Sequence, residues 1–302
     1  MPVSVVLCTY NGARFLAEQV DSILQQSSPV SELIISDDAS TDDTMEVARM
    51  LAAKDNRIRL IALSANIGIT ANFQQAVLAA QHDLIAVADQ DDLWHPDKMA
   101  RLIQAFDSDA VLIYCDSVKF SGRPPMDAIA STKNRRVEGS DPRFIGIFNT
   151  VSGHSILFRK RLLTSAFPLP AGVYPDWWLA VVAMAAGRVQ FHPEVLVYHR
   201  EHDNNMTLQR NFTAEQHRHR FRQTLVRHLQ AFRHIKELSE EERQFFQEGF
   251  DYWHQSIAHR LNPGLFGWLI RHRKWVFAYK IRRWPIISAI KNSWLLSFRF
   301  QS

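Results

Sequence analysis

Residues 86–99 read AVADQDDLWHPDKM, and this stretch decides the fold class of the chain. An apolar run at 84–88 leads directly into three aspartates. They are Asp89, Asp91 and Asp92. A short apolar run bounded by polar residues is typical of a strand that is buried on both faces of a parallel sheet. We therefore expect a buried strand that presents three carboxylates at its carboxyl end.

Strands and helices are predicted to alternate through the first part of the chain. Apolar runs predict the strands, and apolar residues at helical spacing predict the helices between them. The predicted strands are 3–10, 31–38, 57–63 and 83–89, and the predicted helices are 13–26, 40–54, 70–81 and one that begins near Pro96. Ser40 is the expected N-cap of the second helix. The alternation indicates βαβ units and a largely parallel sheet, and hence an α/β fold.

The pattern changes after residue 110. There we predict a strand at 110–120, a long loop at 121–150 over the site, a strand passing into a helix at 153–163, a buried helix at 174–187 and a last strand pair at 188–200. Long polar helices and then a basic, aromatic tail follow. We place a domain boundary near residue 205, because the composition changes there.

Polar residues follow four consecutive predicted strands. They are Thr9, Tyr10 and Asn11, then Asp37 and Asp38, then Asn66, then Asp89 and Asp91. In open α/β sheets, ligands bind beyond the carboxyl ends of the strands. We therefore expect these side chains to converge on one crevice.

The pair Asp89 and Asp91 suits a hard divalent cation that takes its remaining ligands from a phosphate. The alternative is a structural turn, a common role for aspartates in loops, and Asp92 and Asp97 are candidates for it. The sequence contains no Gly-x-x-x-x-Gly-Lys, which disfavours a P-loop nucleotidase. No Gly-x-Gly-x-x-Gly follows the first strand, which disfavours a dinucleotide-binding enzyme. The sequence favours a metal–phosphate site.

Composition limits the class and the location of the protein. The chain has 302 residues, of which 46% are hydrophobic, so it can bury a large core. Cys8 and Cys115 fall in predicted strands, which favours reduced thiols in a cytosolic protein. We expect neither a signal peptide nor a membrane span, because no apolar run approaches the roughly 20 residues that a span needs.

The last part of the chain is basic and aromatic. The net charge is only +4, yet no Asp or Glu follows Asp251. The cations are Arg260, Arg271, Arg273, Lys274, Lys280, Arg282, Arg283, Lys291 and Arg299, and the tryptophans are Trp253, Trp268, Trp275, Trp284 and Trp294. Such a tail suits an anionic membrane surface, single-stranded nucleic acid, or a helical cap on the first domain. We favour the membrane.

Four motifs in the first third of the chain together resemble glycosyltransferase family 2. They are VSVVLCTYNGARFLAEQVDSILQQS at 3–27, IISDDASTDDT at 34–44, ANIGITANFQQA at 65–76 and ADQDDLWHPDK at 88–98. They look most like the bacterial branch that includes rhamnosyltransferases of cell-surface polysaccharides. The resemblance implies a GT-A fold, with a Rossmann-like mixed sheet flanked by helices. It also implies an inverting transfer from a nucleotide-sugar with Mg²⁺ or Mn²⁺.

The resemblance divides the chain and assigns the donor site. It implies a GT-A catalytic domain at 1–205, with a nucleotide-sugar-binding half at 1–110 and an acceptor half at 111–205, and a helical, membrane-associating extension at 206–302. The implied donor-binding residues are Thr9, Tyr10, Asn11, Asp37, Asp38, Asn66 and Asp89. Asp38 would hydrogen-bond the pyrimidine base, with Asp37 beside it. Asp91 and Asp89 would hold the metal, with Asp91 as the direct ligand, and the role of Asp92 stays open.

The acceptor half supplies the expected general base, which deprotonates the acceptor hydroxyl. Asp176 precedes a buried helix, where the family places an acidic base; a plain N-cap aspartate is the alternative. Four residues are expected on the acceptor side: Trp177, Trp178, Gly153 and His154. After the last strand, His199 or His202 would be a further metal ligand, and ordinary surface histidines are the alternative.

We predict a cytoplasmic enzyme at the inner face of the cell membrane. It would transfer L-rhamnose from dTDP-L-rhamnose to a lipid-linked or lipopolysaccharide glycan, such as lipopolysaccharide core or O-antigen. A UDP-hexose or UDP-N-acetylhexosamine donor is the alternative within the family. A nucleic-acid-binding module is the alternative outside it, but it leaves the crevice carboxylates unexplained, and we expect no nucleic acid partner. A nucleotidyltransferase is disfavoured, because the segment at 11–15 offers only Arg14 where such enzymes carry a glycine-rich, basic loop.

Overall fold

A computed structural model describes residues 1–129, 135–202, 212–259 and 261–298. The strands are β1 (Val3–Thr9), β2 (Glu32–Asp37), β3 (Ile58–Ala62), β4 (Leu84–Ala88), β5 (Leu93–Trp94), β6 (Ala110–Phe120), β7 (Ile156–Arg159) and β8 (Arg188–Arg200). The helices are α1 (Ala13–Leu24), α2 (Thr44–Lys54), α3 (Ile69–Leu78), α4 (Lys98–Ala105), α5 (Leu163–Ala166), α6 (Pro175–Ala186), α7 (Ala214–Phe232), α8 (Glu240–Ala258), α9 (Pro263–Arg271), α10 (Arg273–Val276) and α11 (Pro285–Ser297).

All these strands form one eight-stranded sheet in the order β3-β2-β1-β4-β7-β6-β8-β5. β1 is parallel to β2 and β4, and β6 is parallel to β8. β7 is antiparallel to β4 and β6, and β5 is antiparallel to β8. The sheet is therefore mixed rather than largely parallel. Because β5 and β7 run against the others, they begin at the edge where the parallel strands end.

Helices cover both faces of the sheet, because successive side chains of a strand point to opposite faces. On β1, Val5 and Leu7 pack in one cluster with side chains of α1, α2 and α4. Val6 packs in the other cluster with α3, α6 and helices of the C-terminal part. The two clusters hold the sheet rigidly between them and fix the positions of its strand ends.

Two local predictions were wrong. The second helix begins at Thr44 rather than after Ser40. Ser40 instead shapes the turn after β2, since its hydroxyl donates to Asp37 at 2.5 Å. The segment 188–200 is one strand rather than a strand pair, because register shifts against β6 bend it without a turn.

The predicted long loop at 121–150 is largely irregular in its described part. It contains one short 3₁₀ turn, Pro142–Phe144, and an isolated bridge joins Gly139 to Val189. Residues 130–134 lie outside the described residues.

The C-terminal part packs on the rest of the chain. Helices α7 and α8 begin with capping boxes at Thr213 and Ser239. Leu225, Leu229 and Phe232 of α7 are fully buried in the same cluster as α6. The boundary predicted near residue 205 lies outside the described residues, as do Arg260 and Arg299.

The tail tryptophans do not share one role. The exposed fractions are 0% for Trp253, 1% for Trp268, 64% for Trp284 and 47% for Trp294. Trp275 is partly buried, and its indole N–H donates to Asp141 at 2.8 Å. Trp253, Trp268 and Trp275 are therefore packing residues, and of these five tryptophans Trp284 and Trp294 are exposed. Among the residues that the structure describes, none of the helices combines the length and the apolarity that crossing a bilayer requires.

Candidate active site

A crevice of about 1200 Å³ opens where β1, β2, β4 and β8 end. The predicted residues that line it are Thr9, Tyr10, Asn11, Asp38, Asn66, Asp89, Asp91, His199 and His202. The parallel direction of these strands explains why residues far apart in sequence meet there. Asp37 is not among the lining residues.

Gln90 fastens the loop after β1, a role that the sequence analysis missed. Its Oε1 accepts hydrogen bonds from the Thr9 hydroxyl at 2.8 Å and from the Tyr10 N–H at 3.0 Å. A Cβ on Gly12 would lie 2.2 Å from that oxygen, so a larger residue at position 12 would displace the Gln90 amide from these hydrogen bonds. The only available signal was the position of Gln90 between Asp89 and Asp91.

Asp38 and Asp37 hold two different loops. The two carboxylate oxygens of Asp38 accept from the N–H groups of Ile67 at 2.7 Å and Gly68 at 2.9 Å. Asp37 is 1% exposed and accepts from the N–H of Ser40 at 2.9 Å. Asp37 thus shapes the turn after β2, and its place in the nucleotide-sugar site stays a prediction. A bond from Asp38 to a pyrimidine base stays a prediction, since each carboxylate oxygen can accept a second hydrogen bond.

Asp91 and His202 meet on the wall of the crevice, with Oδ2 and Nε2 2.8 Å apart. Burial, and then the charges of Asp89 and Asp92, raise the pKa of Asp91, while His202 opposes the rise. A carboxylate held beside like charges is stabilised by a cation. The carboxylates and the imidazole are ligand types that Mn²⁺ accepts, and Mg²⁺ accepts the carboxylates. These residues therefore fit a divalent cation, with the half-exposed carboxylate of Asp89 beside them.

Behind this pair lies a buried ionic cluster of Asp92, His154 and His199. Asp92 is 0% exposed and lies 2.9 Å from Nδ1 of each histidine. His154 Nδ1 is also 3.2 Å from Asp89 Oδ2. Although burial favours the neutral ring, Asp92 and Asp89 raise the pKa of His154 to about 10. His154 is therefore an imidazolium, and its single positive charge offsets part of the charge of the two carboxylates beside it.

The antiparallel strands explain how this cluster forms. Asp92 directly precedes β5, and Leu93 pairs with Tyr198 of β8, which brings Asp92 beside His199. His154 lies just before β7, which begins at the same edge. The ligand atoms of Asp89, Asp92, His154 and His199 all lie within 4.8 Å of one another. The sequence analysis left the role of Asp92 open and expected His154 on the acceptor side. The structure places both residues in this cluster.

Lys98 is a second residue that the sequence analysis missed. It is 0% exposed, and its ammonium group donates to the carbonyl oxygen of His154 at 2.7 Å. It also lies over the ring of Trp94, 3.5 Å from the centroid. Burial lowers the pKa of Lys98 to about 7, although Cys115, Asp92 and Asp89 oppose the shift. The lysine holds the chain at His154 in place.

Asp176 lies in the first turn of α6, where sequence analysis placed the base. Gly153 lies directly beside Asp176, since a Cβ on Gly153 would be in van der Waals contact with the Asp176 Cβ at 3.4 Å. Burial and then the charge of Asp89 raise the pKa of Asp176 to about 6, against hydrogen bonds from the N–H groups of Trp177 and Gly153 and the charge of His154. Asp176 is therefore close to both Asp89 and the imidazolium of His154.

The two tryptophans after Asp176 are packing residues. Each is 6% exposed. The indole N–H of Trp177 donates to the Ile145 carbonyl and that of Trp178 to the Ala166 carbonyl, both at 2.7 Å. Trp178 is therefore a core residue, although the sequence analysis expected it on the acceptor side.

Trp177 borders a second cavity of about 290 Å³. Its other walls are Arg136, Ile147, Phe148, Asn149, Thr150, Phe221 and Tyr279. The rings of Phe148 and Phe221 are stacked with centroids 5.5 Å apart, and Tyr279 lies 4.9 Å from Phe148. The cavity thus combines aromatic faces with amide and hydroxyl groups, and α7 and the segment after α10 supply part of it.

The comparisons with known proteins agree with this architecture. The family model described as "Glycosyl transferase family 2" matches residues 4–164, more than half of the chain. An uncharacterized glycosyltransferase of Nostoc is 28% identical over 228 residues, which cover 72% of this chain and 70% of the relative. An uncharacterized protein of Mycobacterium tuberculosis is 30% identical over 214 residues, which cover 66% of this chain but only 59% of the relative. The succinoglycan biosynthesis protein ExoO of Rhizobium meliloti is 34% identical over 116 residues, covering 38% and 33% of the two chains.

Solved structures are similar over almost the whole chain. Residues 1–349 of Staphylococcus aureus TarS, in complex with UDP-GlcNAc, have a TM-score of 0.61 and 17% identity, covering 91% of this chain and 82% of that fragment. The mannosyltransferase PcManGT of Pyrobaculum calidifontis, in complex with GDP-Man and Mn²⁺, has a TM-score of 0.59 and 20% identity, covering 97% and 79%. At these identities the likeness concerns the fold, and it confirms the GT-A fold.

Proposed function

The chain belongs to glycosyltransferase family 2, and from that premise we propose that it is an inverting, metal-dependent transferase that adds a sugar to a bacterial cell-surface glycan. One observation carries the proposal. Asp91 and His202 lie 2.8 Å apart on the wall of the crevice, and Asp176, with a pKa of about 6, lies close enough to Asp89 to feel its charge. A carboxylate with that pKa is deprotonated at neutral pH and accepts a proton readily.

The chain's own residues have separate tasks in the reaction. Asp38, Asn66 and the loop after β1 hold the nucleotide in the crevice. Asp176 takes the proton of the acceptor hydroxyl as its oxygen attacks the anomeric carbon, opposite to the bond that breaks. Asp91, Asp89 and His202 would hold the cation. A bound Mg²⁺ or Mn²⁺ supplies stabilisation of the negative charge on the departing diphosphate.

The acceptor is proposed to occupy the second cavity. Trp177 lines this cavity and directly follows Asp176 in α6. Aromatic faces with a few polar groups are typical of small-molecule sites, and a pyranose offers both apolar faces and hydroxyls.

The donor sugar is proposed to be L-rhamnose, from dTDP-L-rhamnose. The support is the resemblance of the motifs to the rhamnosyltransferase branch. A UDP-hexose or UDP-N-acetylhexosamine is the alternative, supported by the complex of TarS with UDP-GlcNAc. The proposed acceptor is a lipid-linked glycan such as lipopolysaccharide core or O-antigen. A lipid-linked acceptor places the enzyme at the inner face of the cell membrane.

The test is a screen for metal-dependent hydrolysis of dTDP- and UDP-sugars, combined with one pair of variants. Asp91→Asn removes a ligand charge and almost no volume, so we expect it to abolish turnover and the metal-dependent binding of UDP or dTDP in calorimetry. Asp43→Asn is the matched control, because Asp43 is exposed and its side chain makes no cap hydrogen bond. The assignment fails if Asp91→Asn binds the nucleotide as the wild type does, or if no donor is hydrolysed with either metal.

A further inference from the structure

Helix α11 has the reverse of the usual arrangement of a surface helix. Its fully buried side chains are small, with Ala289 4%, Ser293 0% and Ser297 1% exposed, and Leu296 beside them is partly buried against the core. Its outward face is apolar and large. The exposed fractions there are 63% for Ile286, 65% for Ile287, 48% for Ile290 and 52% for Leu295. A helix that only covers a protein core turns its large apolar side chains inward, so this helix is built to present an apolar face.

The apolar face continues into the segment before the helix. Ile281 is 56% and Trp284 is 64% exposed. Large apolar side chains gathered at one surface mark an interaction site. We call the exposed apolar residues of 281–295 the α11 face.

Cations surround the α11 face. Arg282, Arg283 and Lys291 are exposed and alternate with its apolar residues. Acidic residues are absent from the sequence after Asp251, so these cations have no acidic partner close in sequence. Two copies of the α11 face would bring like charges together, which disfavours self-association through it. Apolar side chains fringed by Lys and Arg match the interface of an anionic bilayer, where the chains enter the headgroup region and the cations meet phosphates.

We propose that the α11 face is a membrane-docking surface, and that its partner is a bilayer containing anionic phospholipid. The proposal specifies which helix and which lipids would hold the protein at the inner membrane face. It does not depend on the transfer reaction. Two hydrogen bonds fix the face to the rest of the molecule. Arg222 of α7 donates to the Leu296 carbonyl at 2.7 Å, and the Asn262 N–H donates to the Ser297 carbonyl at 3.1 Å. Docking would therefore orient the whole molecule on the membrane.

The experiment is vesicle flotation of the full chain. Vesicles of phosphatidylcholine are compared with equimolar phosphatidylcholine and phosphatidylglycerol, at low and high salt. We expect binding only to the anionic vesicles, weakened by salt. The variant Ile286→Ser/Ile287→Ser/Ile290→Ser should lower the partition coefficient at least about tenfold, because three apolar side chains no longer enter the lipid. Its melting temperature should be unchanged, since the three side chains are exposed.

Matched variants separate the two parts of the surface. Met50→Ser/Leu78→Ser removes apolar side chains that are 52% and 57% exposed elsewhere, and it should bind vesicles as the wild type does. Arg282→Gln/Arg283→Gln should weaken binding at low salt and reduce the dependence on salt. Donor hydrolysis, measured on the same proteins, should be unchanged throughout, which distinguishes a failure of docking from a failure of the proposed activity.

Three results would overturn the proposal. The first is wild-type protein that does not float with the anionic vesicles at low salt. The second is a triple isoleucine variant that floats as well as the wild type. The third is binding of single-stranded RNA, or a dimer in sedimentation, that depends on the α11 face while vesicles stay unbound, because the partner is then a nucleic acid or a second copy.

Discussion

Asp176 is poised to change its protonation near neutral pH, because its surroundings act on it in opposite directions. Burial and the charge of Asp89 raise its pKa to about 6, while two backbone N–H groups and the charge of His154 limit the rise. A base must be deprotonated to accept a proton, so the rate of transfer should increase as the pH rises through about 6. We expect a plateau above that value, and kcat at saturating donor and acceptor measures it. A rate that does not change between pH 5 and pH 7 would contradict the role.

The variant Asp176→Asn tests the same residue without changing its shape. Asn retains a hydrogen bond to the Trp177 N–H but cannot take the proton. We expect kcat to fall by about 10²–10⁴, the usual contribution of positioned proton transfer. The affinity for UDP or dTDP should stay unchanged, because the residues that line the crevice come from other elements than α6. Transfer within tenfold of the wild type would place the base elsewhere, and a variant that loses only stability would make Asp176 a cap.

The candidate site shows which residue roles follow from sequence. The residues at the ends of β1, β2 and β4 could be placed on one crevice, because parallel strands end at one edge. Gln90 and Lys98 could not, because their roles depend on atoms far away in sequence, Thr9 in one case and His154 in the other. Asp92 was ambiguous for a similar reason. Its histidine partners lie just before β7 and near the end of β8. Nothing in the sequence around Asp92 indicates its contact with either histidine.

At the scale of elements, α7 fixes the start of α6. His228 of α7 is fully buried; its Nε2 accepts the N–H of Tyr174 at 2.8 Å, and its Nδ1 lies 2.8 Å from the Thr224 carbonyl. Its ring stacks on Trp177 with centroids 4.4 Å apart. These bonds require the neutral ring, and burial lowers the pKa of His228 to about 4. The helix that carries Asp176 therefore depends on the C-terminal part for the position of its first turn.

This contact predicts a dependence of stability on acid. Between the unfolded pKa of about 6.5 and the folded pKa of about 4, the unfolded chain binds a proton at His228 and the folded chain does not. The contribution is fully present above pH 6.5 and is lost as the pH falls toward 4. His228→Gln removes this titration while its amide oxygen can still accept from Tyr174.

The measurement is the free energy of unfolding in urea at pH 6.5 and at pH 4.5. We expect wild type to lose about 1–3 kcal/mol more than His228→Gln over this interval, which is the size of a pKa shift of about two units. His219→Gln is the matched control, since His219 is exposed on the same helix, and it should behave as the wild type does. Equal losses in all three proteins would mean that His228 does not control the acid sensitivity.

The order of elements was easier to predict than their pairing. Alternating apolar periods gave the strands and helices of the first half, because each period is a local property of the chain. The antiparallel insertion of β5 and β7 was not visible. β5 has two residues, too few for a period to show, and the strand predicted within 153–163, which is β7, gave no indication of its direction. The burial of Trp253 and Trp268 was missed for a different reason. Their packing depends on how helices meet, and composition alone made the tail look uniform.

At the scale of the whole molecule, the second cavity joins parts that are distant in the chain. Phe148 comes from the loop after β6, Phe221 from α7, and Tyr279 from the segment after α10. Trp177 links the cavity to α6 and so to Asp176. The C-terminal part therefore contributes both the α11 face and a wall of the proposed acceptor site. If both proposals hold, acceptor preference and membrane docking would be carried by the same part of the protein.

The acceptor site can be tested at Tyr279. Removing its ring in Tyr279→Ala takes away an aromatic face, worth about 1 kcal/mol in stacking, so KM for the acceptor should rise about five- to tenfold. Tyr279→Phe keeps the ring and is the matched control, with an expected KM within about twofold of wild type. Hydrolysis of the donor without acceptor should be equal in all three proteins, because the crevice residues are untouched. The measurement is the initial rate against the concentration of a methyl glycoside that accepts the sugar, at saturating donor. A wild-type KM in Tyr279→Ala would exclude this cavity as the acceptor site, whereas a loss of donor hydrolysis in the same variant would show that the ring supports the fold instead.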